Sequence, residues 1–303
     1  MGRLASIRLC CKIIRLHILA GGFLGYCLGV LLAMLRGGKT SPQTPVLGYL
    51  IVLFGDLSTH FSNDYYDVDV DENAPHKTFE GHNILVDYPD IKPLAISSGI
   101  FLSAASLLIA LFMVLKFSAS PSLLCLVITT NLFGWLYSTP SVTLNARGLG
   151  EITVALGTGL SIPAIGYMVT LGNLDKIFLF FSIPLILYGF NLSLSLELPD
   201  LEVDREYRKI NLVVLLGRRK ITFLIFLTSM LASAFFIFLV KVDVHRFWLL
   251  PILSFFPIIT SLKGYFTHSY SQVKANNLSI LNISALFFFL VALDCYLAFP
   301  LLT

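Results

Sequence analysis

Asn63, Asp64, Asp67 and Asp71 recur at spacings of three and four within the stretch FSNDYYDVDVDEN, directly after the apolar run VLGYLIVLFG. Asp200 and Asp204 repeat the four-residue spacing in ELPDLEVDREYRK, again at the end of an apolar run. A helix continued through the first stretch turns about 100° per residue and places Asn63, Asp64, Asp67 and Asp71 on one face. Asp56 and His60 fall further back on that same face, and Asp69 points away. Asp200 and Asp204 likewise share a face, unless Pro199 interrupts the helix. Carboxylates stacked this closely repel one another unless a cation holds them. Hard divalent ions bind through oxygen, and magnesium typically uses one or two carboxylates while keeping waters and reaching substrate phosphates. Two such rows at one membrane depth are suited to gripping a diphosphate through shared magnesium ions. Arg205, Arg208 and Lys209, beside the second row, are placed to contact phosphate oxygens.

The elements that must position these rows are read from composition. Of 303 residues, 56% are hydrophobic and 13% charged, and the mean hydropathy is +0.82. Soluble domains carry about 25% charged residues, so the chain is expected to be an integral membrane protein forming one domain over residues 1–303, with no nucleic-acid partner. Apolar runs close to the roughly 20 residues that cross a bilayer fall at about 14–35, 45–67, 94–115, 121–137, 151–171, 177–197, 221–240, 247–262 and 278–299. The fold class is therefore all-α, with nine transmembrane helices predicted to enclose a central cavity. With the N-terminus inside, 15 of the 21 Lys and Arg, among them Arg3, Arg8 and Lys77, lie on cytoplasmic segments, as the positive-inside rule requires. The connections 68–93, 138–150 and 198–220 are then cytoplasmic, the C-terminus is outside, and the active site faces the cytoplasm. Thirteen of the 18 carboxylates gather at that same boundary: Asp64, Asp67, Asp69, Asp71, Glu72, Glu80, Asp87 and Asp90 after the second span, and Glu197, Asp200, Glu202, Asp204 and Glu206 after the sixth. A solvated membrane edge explains one such cluster more easily than two with helical spacing. An ion-coupled transporter, the rival from another class, is expected to keep its acids nearer mid-membrane in broken helices. Cys10, Cys11, Cys27, Cys125 and Cys295 have no metal or disulfide spacing, and His17, His76, His82, His245 and His268 have no ligand spacing.

Taken together, Asn63-Asp64-x-x-Asp67-x-x-x-Asp71 and Asp200-x-x-x-Asp204 resemble the paired aspartate-rich motifs of the UbiA superfamily of intramembrane prenyltransferases. Lys92-Pro93-Leu94, LYST-P at Leu136–Pro140, RGLGE at Arg147–Glu151 and the run from DLEVDREYRK to LLGRRK are similar to further pieces of that family, over about residues 45 to 220. The resemblance implies a magnesium-dependent transfer of a polyprenyl group from a prenyl diphosphate. In it, Asp67, Asp71, Asp200 and Asp204 hold the metal, with Asn63 and Asp64 assisting. The RGLGE segment leans toward enzymes that prenylate aromatic quinone precursors such as dihydroxynaphthoate, as the menaquinone-type enzymes do. A glycerol-phosphate lipid hydroxyl is the alternative acceptor.

Other residues carry two readings each. Lys92, Arg147 and Lys209 are diphosphate contacts or simple inside-positive charge. Tyr137 lines the cavity or is an interfacial tyrosine. Asp56 and His60 lie one to two turns deeper on the metal-bearing face, where an acceptor would bind. They form either a proton-accepting pair or a self-neutralising i, i+4 pair. Glu151 is expected to anchor the RGLGE turn, while Asp294 and Glu202 have no evident partner in the sequence.

Overall fold

The computed structural model describes residues 9, 11–39, 41–72, 82–242, 247–267 and 271–302. Arg3, Arg8, Cys10, His76, Lys77, Glu80, His245 and His268, with the orientation argument that leans on some of them, lie outside these residues. Regular structure among the described residues is helical, and an isolated β-bridge joins Arg147 and Ile210. The long helices are α1 (Leu16–Leu35), α2 (Gln43–Tyr66), α3 (Lys92–Lys116), α4 (Pro121–Ser138), α5 (Gly150–Leu171), α6 (Lys176–Glu197), α7 (Arg218–Val242), α8 (Leu250–Tyr265) and α9 (Gln272–Leu302). By length and composition, seven of these are able to cross a membrane. The other two are α2, which carries Asp56, His60 and Asp64, and α8, which has 16 residues. Prolines enter α3 and α4 in the first turn, where a missing N–H costs nothing. Asp175 caps α6 by accepting the Phe178 amide at 2.8 Å. Partial burial raises its pKa, but the Phe178 amide and Arg36 outweigh that and hold it below the ordinary aspartate value.

Each acidic row sits at the end of a helix that is the hub of its half. α2 packs against α1, α3, α4 and α5, and α6 packs against α5, α7 and α9. The halves join where α1 lies against α5 and α9. That crossing is close: a Cβ on Gly29 would stand 1.9 Å from the Pro163 carbonyl oxygen. Lipid is as apolar as a leucine face, so polar contacts and close packing do more to orient helices in a membrane than in water. In the first half the Ser58 hydroxyl donates to the Gly99 carbonyl at 2.8 Å, and Trp135 Nε1 donates to Ser58 Oγ at 2.9 Å. In the second, Asn191 donates to Ser229 Oγ at 2.9 Å and accepts from Thr228. These contacts fix the rotation of α2 against α3 and α4 and of α6 against α7, and with it the direction each acidic row faces.

Candidate active site

The first row keeps its helical register past the end of α2. The Asp67 amide donates to the Asn63 carbonyl at 2.9 Å and the Asp71 amide to the Asp67 carbonyl at 2.8 Å, carrying the backbone into the short helix Val68–Asp71. Asn63, Asp67 and Asp71 therefore stand one above another, as the spacing predicts. Their carboxylates are held by neutral donors from elsewhere in the chain. Ser138 Oγ donates to Asp67 Oδ2 at 2.9 Å, with Asn145 Nδ2 at 3.4 Å from the same oxygen. Asn83 Nδ2 lies 2.8 Å from both Asp71 Oδ2 and the Asp64 carbonyl oxygen. Asp64 behaves differently. It is buried and forms an ion pair with Arg15 Nη2 at 2.8 Å, so its charge is engaged by the segment preceding α1. That segment is seated by Ile13, which is 1% exposed and packs with Phe61, Val68 and Leu85.

The second row is broken where the sequence warns of it. Pro199 has no N–H to return to the last turn of α6, and the chain tightens into a 3-10 turn, Leu198–Asp200, before the short helix Leu201–Glu206. Asp200 occupies the N-cap position of that helix without capping it. Asp204 is buried, accepts from Asn211 Nδ2 at 2.7 Å on Oδ2, and has Lys209 Nζ 3.3 Å from Oδ1. Arg208, with φ at +55°, turns the chain so that the Lys209 amide comes back to the Asp204 carbonyl at 2.9 Å. Lys209 thus meets a carboxylate of its own row.

Two contacts tie the rows together. The Tyr207 hydroxyl donates to the Asp69 carbonyl at 2.8 Å. The connection between α4 and α5 bonds both sides through adjacent residues: Asn145 reaches Asp67, while the Ala146 carbonyl accepts the Ile210 amide at 2.9 Å. Gly148, at φ +76°, allows that connection its turn into α5. Glu151, expected to anchor this turn, instead accepts the Leu212 amide at 2.5 Å and so anchors the chain after the second row.

The remaining predicted residues are placed as follows. Lys92 is half-buried in the first turn of α3. The Arg147 side chain is exposed, and its residue contributes the bridge to Ile210. Tyr137 packs beside the RGLGE turn, with a Cβ on Gly150 coming 3.6 Å from its ring. His60 Nε2 lies 3.7 Å from Asp56 Oδ1. Asp69 is exposed, as expected. Glu202 does have a partner, Arg218, in contrast to the sequence reading. Arg15, Asn83, Ser138, Asn145, Asn211 and Arg218 were not singled out by spacing. Each acts across a long sequence separation or as an ordinary-looking polar residue in a connection.

Among the described residues, no group of three or more His, Cys, Asp or Glu side chains is arranged to hold a metal ion by itself. A magnesium site shared with a substrate does not require one, because one or two carboxylates per ion suffice when phosphates and waters complete the shell. The donor set fits that use. It is all oxygen, its carboxylates are oriented by Ser138, Asn145, Asn83 and Asn211, and Asn63 Oδ1 is buried with no hydrogen-bond partner among the described residues.

The described residues form an all-helical bundle with membrane-crossing helices and two acidic rows joined at one end. The chain belongs to the UbiA prenyltransferase family, whose model matches residues 23–292, and it is a prenyltransferase. Its fold is similar to that of a UbiA homologue from Archaeoglobus fulgidus bound to DMAPP and Mg2+ (16% identity, TM-score 0.65, covering 96% of this chain and 99% of that one). It is also similar to a UbiA homologue from Aeropyrum pernix K1 in its apo form (14%, 0.68, 93% and 99%). A third similar structure is a digeranylgeranylglyceryl phosphate synthase (17%, 0.63, 97% and 99%). No curated protein matches the sequence.

Proposed function

We propose that this protein transfers a polyprenyl group from a prenyl diphosphate to an aromatic quinone precursor such as dihydroxynaphthoate, with magnesium as cofactor. The reading places nine crossings in the bundle, α2 and α8 included, with the N-terminus and the active site on the cytoplasmic side. The observation that carries it is the adjacent pair Asn145 and Ala146. They bond Asp67 on one side and the segment after Asp204 on the other, so both acidic rows border one site.

Asp67, Asp71, Asp200 and Asp204 would hold magnesium, and Asn63 Oδ1 adds a neutral oxygen. When bound, the metal offsets the negative charge that builds on the departing diphosphate oxygens. Lys92 and Arg147 would serve as further cations for those oxygens, and Tyr137 would line the cavity. The allylic C–O bond breaks with its electron pair going to diphosphate, and a ring carbon of the acceptor bonds to the freed allylic carbon. The phenolic proton of the acceptor passes to His60, with Asp56 beside the charge that results. The substituent that the ring carbon carried leaves, either as a proton or, from a carboxylated carbon, as carbon dioxide, so that the ring regains its aromaticity. At 3.7 Å the two side chains of His60 and Asp56 stand as close counter-charges and share no direct hydrogen bond.

The test is incubation of the purified protein with labelled prenyl diphosphate, magnesium and a panel of acceptors, with products weighed by mass spectrometry and diphosphate release followed in parallel. A prenylated aromatic product supports the reading. A prenylated glycerol-phosphate lipid replaces the acceptor, and no diphosphate release with any acceptor, as from a transporter, removes the reading.

A further inference from the structure

Arg218 is the first residue of α7, and its guanidinium is buried at 6% exposure beneath the second acidic row. Its Nε donates to the Leu198 carbonyl at 2.8 Å and its Nη2 to the Pro199 carbonyl at 3.2 Å. Both Glu202 carboxylate oxygens accept from it, at 2.7 and 2.5 Å, and Gln272 Oε1 accepts at 2.7 Å. Gln272, the first residue of α9, donates its own Nε2 to the Pro199 carbonyl at 2.5 Å. The starts of two helices therefore close on the 3-10 turn that carries Asp200. This is the place where Pro199 has removed the helix's own means of fixing direction. A planar guanidinium with five donors in a rigid fork suits such a task, whereas an ammonium does not. Its donors are spent on carbonyls and Glu202, so Arg218 is built to hold the turn and does not face the substrate.

We propose that Arg218 and Gln272 are positioning residues for the second acidic row, setting the direction of Asp200 by clamping the Leu198 and Pro199 carbonyls. The proposal rests on Asp200 as a metal ligand. Arg218→Gln removes the fork. Loss of a supporting partner around a metal ligand typically costs 10–100-fold in metal affinity or activity, so the variant raises the magnesium concentration for half-maximal transfer by about tenfold or more. Arg218→Lys recovers only part of that loss. The effect vanishes in an Asp200→Ala background, because groups that act through one another are not additive. Gln272→Ala, which leaves the buried arginine in place, raises the half-saturating magnesium by about threefold, since it removes one donor to the Pro199 carbonyl and one of several acceptors of Arg218.

Two measurements accompany the kinetics on the detergent-purified full chain: Mn2+ binding by electron paramagnetic resonance, and backbone hydrogen exchange over residues 198–204 by mass spectrometry. The expected result is weaker Mn2+ binding and faster exchange in both Arg218→Gln and Gln272→Ala. Unchanged exchange over 198–204 in Gln272→Ala, or unchanged Mn2+ affinity alongside faster exchange, overturns the clamp even if Arg218→Gln fails to fold. Faster exchange in a protein whose wild type binds no Mn2+ and releases no diphosphate overturns the metal role of Asp200 and with it the assigned function, while showing that the contacts hold the turn.

Discussion

The two acidic rows do similar work by different construction. In the first, two backbone hydrogen bonds carry the register from Asn63 to Asp67 and from Asp67 to Asp71 across the bend that ends α2, and the neighbours turn the carboxylates. Ser138, Asn145 and Asn83 do this by direct contact with carboxylate oxygens. In the second, Pro199 interrupts the helix, and the spacing between Asp200 and Asp204 spans a 3-10 turn and a new short helix. There the supports act mainly on the backbone: Arg218 and Gln272 on carbonyls, and Arg208 by its left-handed turn. A bend that keeps the helical register leaves its supports mainly to the side chains. A proline break must have its backbone held from outside.

This contrast can be broken or sharpened by measurement. Asp67→Ala and Asp204→Ala each lower prenyl transfer by about a thousandfold or more, because each removes a group meant to act on charge developing at the leaving oxygens; full activity in a correctly inserted variant of either would end the metal assignment. Ser138→Ala and Asn145→Ala, which leave a ligand in place but unsupported, raise the half-saturating magnesium by roughly 10–100-fold, with kcat at saturating metal changed less. Asn211→Ala is expected in the same range, and a null effect there would show that Lys209 alone keeps Asp204 in place. Tyr207→Phe removes one exposed hydrogen bond, worth about 1 kcal/mol, and slows turnover by about fivefold at most. Asp175→Ala, far from both rows, costs about 1 kcal/mol of stability through the lost helix cap and leaves magnesium dependence untouched. Because the Asp175 pKa is lowered on folding from 3.8, its contribution is present above that value. It is lost as pH falls through the lower folded value, and a melting-temperature profile in acid would show it.

The first row was legible in the sequence because a helix has one period. Asn63, Asp67 and Asp71 are stacked by the same arithmetic that spaces them. The apolar runs were legible for the same reason, since α1 to α9 fall on the intervals that hydropathy marks. The supports were not legible. Ser138 lies 71 residues from Asp67, and Gln272 lies 73 from Pro199. No local pattern distinguishes a serine that orients a carboxylate from one that caps a turn. Glu202 shows the opposite failure. The sequence offers it no evident partner, yet the fold pairs it with Arg218. Burial makes a nearby counter-charge more effective than a distant one, and sequence does not record nearness.

The link between Asn145 and Ala146 has a mechanical consequence. Successive Cα atoms are about 3.8 Å apart, so a single peptide unit serves as the gauge between the walls that carry the two acidic rows. Lengthening it by one residue would throw both walls out of phase at once, an injury that no single side-chain exchange reproduces and that no compensating change on one wall alone repairs.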